Sequence, residues 1–137
     1  MTSRRIALAA ALAAATFWTF KSVAIGIAGG LDKSPFEGPL FFLGLLSFVV
    51  AAVSMGMALA AGLPTWARVV AGLGGFVVGF ALTLLVDAVV EAFHPAGAER
   101  HWVWTELNLW VAALTALLAA AAVVRSNGWG RSRSAVA

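Results

Sequence analysis

The sequence predicts an all-α, polytopic integral membrane protein: four antiparallel transmembrane helices in one bundle, a single domain over residues 1–137. Three observations predict it. Hydrophobic residues fill 62% of the 137 positions, before 14 glycines are counted. Charged residues fill 11%, against about 25% in a soluble domain. The apolar residues also fall into four stretches of 23 to 26 residues, and a helix crossing a bilayer needs about 20. A 14.1 kDa globule has too little interior to hide that much apolar surface. A soluble globule, a disordered chain and a nucleic-acid module are therefore excluded. The stretches do not alternate apolar with polar residues, as strands of a membrane barrel would.

The first helix is predicted over 6–28. Arg4-Arg5, then Ile6–Leu12, then Ala13-Ala14-Ala15 has the three-part shape of a signal peptide. The apolar run continues through Phe17-Trp18 and Val23–Ala28, which suits an anchor better. Gly29-Gly30 ends this span. Ser34-Pro35-Phe36-Glu37 reads as a capping box with proline at the first helical position, so the second helix is predicted over 35–62. Gly62-Leu63-Pro64-Thr65 makes a tight turn into a third helix over 67–93, which His94-Pro95-Ala96-Gly97 ends. The fourth is predicted over 102–124, followed by a loose polar tail over 125–137. Loops this short force neighbouring helices antiparallel. Trp18, Trp66, Trp102, Trp104 and Trp129 fall where aromatic-belt residues are expected.

Basic residues set the expected orientation. Arg4, Arg5, Arg68, Arg125, Arg131 and Arg133 lie on one side, and Lys33 and Arg100 on the other. This bias puts both termini in the cytoplasm and the protein in the cell membrane. The net charge of +3 is then a matter of orientation, with the lipid bilayer as partner and no role for nucleic acid. Cysteine is absent, so thiolate catalysis and disulfides are excluded.

Candidate functional residues are the polar ones inside the spans, because a charge at a bilayer centre costs about 2.5–3.5 kcal/mol. Lys21, Thr83, Asp87, Glu91 and Asn108 form the expected intramembrane cluster. Thr83, Asp87, Glu91 and His94 share an arc of about 80° on the third helix. Gly72, Gly75 and Gly79 form a strip beside it, suited to close helix packing. Lys21 lies seven residues before Ala28, and Asp87 six before Phe93. Both are thus about 10 Å from their helix ends, so Lys21–Asp87 is the expected ion pair, with Glu91 as alternate partner. Glu106 points nearly opposite to Asn108 and is expected to reach the interface marked by Trp102 and Trp104, the alternative being a further member of the cluster.

Glu91-Ala92-Phe93-His94 has the Glu-x-x-His spacing of metal-binding helical bundles, and Asp87 and His101 stand nearby. A full site needs a second such motif, which is missing, so no metal and no cofactor are expected. No nucleophile–base set appears either. Gly72-Leu73-Gly74-Gly75 follows no strand and cannot be a phosphate loop. Small four-helix exporters and dual-topology fluoride channels share this length. Such exporters carry an acid in the first helix where this chain has Lys21, and the charge bias argues for one fixed orientation. The expected function is a non-enzymatic accessory or scaffold membrane protein, within a homo-oligomer or a larger membrane complex. The alternative is a small homo-oligomeric transporter or channel that handles protons or cations on its intramembrane carboxylates.

Overall fold

The computed structural model describes the backbone of residues 2–94 and 101–134, and side chains as far as Ser126. Over these residues the chain is all helical, with four helices: α1 (Ser3–Ala28), α2 (Glu37–Leu59), α3 (Thr65–Phe93) and α4 (Trp102–Ser134). Each is long and apolar enough to cross a membrane.

The boundaries differ from the sequence reading at several ends: α1 starts at Ser3 and α3 at Thr65, each a few residues early, α2 runs from Glu37 only to Leu59, short of the expected 62, and α4 runs on past 124. Ser34 and Glu37 do not form a reciprocal capping box. Ser34 Oγ accepts from the Phe36 N–H at 3.3 Å, while the Glu37 carboxylate accepts from the Asp32 N–H at 2.8 Å. The Glu37 side chain thus closes the α1–α2 turn, and α2 begins there. The polar tail is not a break either. The backbone of α4 stays helical to Ser134, because a helix already nucleated in a long apolar segment extends through residues that would not start one. Trp129 lies outside the described side chains.

α1 ends as its glycines require. Gly29 takes φ +82°, and the Gly30 N–H reaches back to the Ile25 carbonyl at 3.1 Å. That satisfies carbonyls left open at the last turn, in a conformation that side-chain-bearing residues resist.

α1 packs on α2 and α4, α3 packs on α2 and more lightly on α4, and α2 touches α4. Among the described residues α1 and α3 do not meet. The core lies along α1 and α4: Ala7, Ala11, Ala14 and Trp18 against Ala112, Ala113, Ala116 and Ala120, with Phe48 and Ala51 from α2. On α1 the buried positions Ala7, Ala11, Ala14, Trp18, Lys21 and Ile25 follow an alternating four–three spacing. This is the repeat by which one helix presents a continuous seam to another.

Trp18 belongs to that core and not to an interfacial belt. It is 1% exposed, its indole N–H donates to the Phe41 carbonyl at 3.3 Å, and its ring lies against Gly44. Trp66 is 71% exposed, as a belt residue would be.

The glycine strip of α3 faces α2. A Cβ at Gly75 would fall on the Ala52 carbonyl, and one at Gly56 on the Ala71 carbonyl. At Gly79 it would stand 2.9 Å from the Ala52 Cβ. The contact is therefore backbone on backbone, which only glycine permits.

Candidate functional site

The polar centre forms at the end of the molecule where α1 finishes and α2 and α4 begin. Lys21 takes a seam position on α1, one turn beyond Trp18. Its Nζ donates to Glu106 Oε1 on α4, and Ser22 Oγ donates to Glu106 Oε2 at 2.9 Å. The single Ser22 hydroxyl hydrogen is shared between Glu106 Oε2 and the Trp18 carbonyl, which lies 3.0 Å from Ser22 Oγ. Glu37 Oε1 from α2 stands 4.0 Å from Lys21 Nζ, and the Phe41 ring centroid 5.9 Å away. Three helices thus converge on one ammonium.

Glu106 is wholly inaccessible and Lys21 is 5% exposed. A buried carboxylate is tolerable only when its oxygens are satisfied and its charge is matched. Both conditions hold, because each oxygen has a donor and one donor is a cation. Beside the site is a depression of about 410 Å³ lined by Lys21, Asp32, Ser34, Glu37, Gly38 and Phe41.

The ion pair expected between Lys21 and Asp87 is absent. Lys21 pairs with Glu106, because α1 adjoins α4 and does not meet α3. A similar distance from the helix end does not bring Lys21 and Asp87 together, since α1 and α3 do not meet. Glu106 does point away from Asn108. Since α4 lies between α1 and α3, opposite faces of α4 are both used, Glu106 towards α1 and Asn108 towards α3.

Asp87 lies on the second polar contact. Asn108 Nδ2 donates to Asp87 Oδ1, while Asn108 Oδ1 is buried without a partner. Thr83, one turn back, donates to the Phe80 carbonyl at 2.7 Å. Lys21 is therefore separate from the Thr83–Asp87–Asn108 contact, and the five residues expected in one cluster do not form one. Asp87 and Glu91 are exposed on α3.

Ser22 and Glu37 are members that sequence reading misses, and Glu106 enters that reading only as the alternative. For Glu106 a signal existed: Glu106, Ala113 and Ala120 recur at a spacing of seven, and all three are buried. A glutamate in register with a small-residue seam faces a neighbouring helix.

Among the described residues no group of three or more His, Asp or Glu side chains gathers as metal ligands would. His94 packs edge-on against Trp104, with ring centroids 5.2 Å apart, and His101 stacks by Trp102 at 5.5 Å. Asp87, Glu91, His94 and His101 therefore do not assemble into a metal centre.

No protein-family model, curated protein or solved structure matches the chain.

Proposed function

We propose that this is a small integral protein of the cell membrane, with four antiparallel spans and cytoplasmic termini, acting as a non-enzymatic accessory or scaffold subunit. The observation that carries the reading is the state of Glu106, the one deeply buried acid among the described residues. Glu106 has both oxygens occupied, by Lys21 and Ser22, and no exposure. A carboxylate held this way clamps α1 to α4 and is poorly placed to release and rebind a cargo ion. Membrane insertion and orientation rest on the apolar helices and on the distribution of arginines.

The test is isolation from native membranes in mild detergent. A stable assembly with other membrane proteins is expected, and a lone monomer counts against the accessory role.

The polar depression over Lys21 favours a second reading, transport of protons or cations through Glu37, Asp87 and Glu91 in an oligomer. Purified protein in liposomes tests it. Ion flux that falls in Glu37→Gln, Asp87→Asn or Glu91→Gln supports transport, and flux indifferent to all three removes it.

A further inference from the structure

We infer that the molecule holds one phospholipid with an amine headgroup, its acyl chain in a cleft between α2 and α3 and its head in the depression beside Lys21. The inference rests on the membrane reading and is independent of the accessory role.

The cleft has a volume of about 350 Å³ and follows α2 from Phe41 to Ala52. Trp18, Phe48 and Ala52 are buried at its floor, and Leu45, Phe76 and Phe80 are exposed at its rim. On α3 the positions Val69, Leu73, Phe76, Phe80, Thr83 and Asp87 succeed one another at spacings of four and three. Phe76, Phe80 and Thr83 of that row make the α3 wall. The cleft thus opens sideways, between the two helices. Both polar side-chain groups on its lining are occupied. The Trp18 indole N–H donates to the Phe41 carbonyl, and the Thr83 hydroxyl to the Phe80 carbonyl. Water enters such a space only with about two to four polar partners, whereas an apolar cavity of about 150 Å³ already takes a benzene. The lining therefore suits hydrocarbon.

Length and position select an acyl chain. Phe41 and Ala52 stand 11 residues apart on α2, which is about 16 Å of helix. That is close to half of the roughly 30 Å hydrocarbon core, the reach of one leaflet. The cleft also continues into the depression, because Phe41 lines both. A chain and a head joined to it can occupy the two together.

The charges of the depression select the head. Lys21 is the deep member, seven residues before the end of α1 at Ala28, and Asp32 stands in the turn beyond that end. The Lys21 ammonium has three N–H groups, of which Glu106 accepts one. Asp32 is exposed and makes no ion pair among the described residues. Glu37, one turn before Phe41, adds a second carboxylate. A cation lies deep, then, and acids lie shallow. A phosphoethanolamine head has the complementary order, with phosphate next to the chains and ammonium outermost. The phosphate meets Lys21, and the ammonium meets Asp32 and Glu37, as charge-assisted hydrogen bonds.

The experiment uses the full chain in phosphatidylglycerol vesicles. They contain a trace of phosphatidylethanolamine carrying a diazirine midway along one acyl chain. After irradiation the labelled residues are mapped by mass spectrometry. Leu118, exposed on α4 and outside the cleft, reports ordinary lipid contact. Trp18 and Phe48 are expected to be labelled as well, although both are buried. Unlabelled phosphatidylethanolamine is then put in place of phosphatidylglycerol at about tenfold excess over the probe. It should lower labelling of Trp18 and Phe48 about tenfold and leave Leu118 unchanged, as mass action at one site requires. Asp32→Asn with Glu37→Gln should cancel that competition, since the amides keep hydrogen-bonding oxygens without the charge. Thr83→Phe should fill the cleft and remove the labels from Trp18 and Phe48 alone. Label on Leu118 with none on Trp18 and Phe48 overturns the inference. Labelling of the unaltered protein that ignores the competitor overturns it, as does competition that persists in the double variant. A chain that fails to enter the vesicles strikes the membrane reading itself, a failure distinct from the other three.

Discussion

α1 and α3 are built from similar residues and meet opposite fates. Both carry a four–three seam, both have a charged residue on it near one end, and both are predominantly apolar. The seam of α1 is covered by α2 and α4, and its charge, Lys21, is matched by Glu106 inside the molecule. The seam of α3 is left open, and its charge, Asp87, has only an amide beside it. α3 is instead held by its glycine strip, against Ala52 and Gly56 of α2. A membrane helix can thus be fastened by small residues on one face and still present a complete packing face elsewhere. Burial is not a property of the seam pattern itself but of whether the chain supplies a second helix to cover it.

Four substitutions break or sharpen this contrast. Glu106→Gln should be the most damaging, because it leaves the Lys21 charge buried with Glu37 as its nearest acid at 4.0 Å. A loss of about 3–5 kcal/mol is expected, read by thermal or denaturant unfolding in detergent. The double variant Lys21→Met with Glu106→Leu should recover most of that loss, since removing both charges together leaves neither stranded. A double variant as unstable as the single one would mean that the pair is not the clamp.

Gly75→Ala comes next. The added methyl would fall on the Ala52 carbonyl, and overpacking of this kind costs about 1–3 kcal/mol. Gly74→Ala is its control: nothing lies within 4 Å of that position, so the same unfolding measurement should move by less than about 0.5 kcal/mol. Equal effects at the two glycines would refute the one-sided fastening of α3.

Trp18→Phe removes the hydrogen bond to the Phe41 carbonyl and part of the cover over Gly44. A loss of about 1–2 kcal/mol is expected, with near-ultraviolet circular dichroism reporting the lost rigid indole. Asp87→Asn should be the mildest, within about 0.5 kcal/mol for the isolated protein. A large destabilisation there would mean that Asp87 serves the molecule internally, as Lys21 does.

Much of the fold was legible because apolar run length and turn residues are local. Gly29-Gly30 and His94 mark helix ends in the sequence and end helices in the structure, while Gly62-Leu63-Pro64 marks the α2–α3 turn, three residues after α2 has ended at Leu59. The polar centre was only half legible. Lys21 stands out as a lysine inside an apolar run, and Asp87 and Asn108 stand out likewise. Matching Lys21 to Asp87 by depth failed because depth is a one-helix property and partnership is a two-helix one. Cluster membership of Glu106 is only the second reading of the sequence because it lies near the start of its helix, where an interfacial position costs little. Its register with Ala113 and Ala120 pointed inward.

What the sequence determined by itself is the number of apolar helices, where most of them end, and which residues are too polar to sit comfortably among their neighbours. These follow from side-chain hydrophobicity and backbone chemistry over a few turns. Only the tertiary structure decided that α1 borders α4 and not α3, so that Lys21 and Glu106 neutralise one another while Asp87 faces outward. That choice turns on how four cylinders pack, with glycine allowing α2 and α3 to close and alanine allowing α1 and α4 to close. No single helix carries the information.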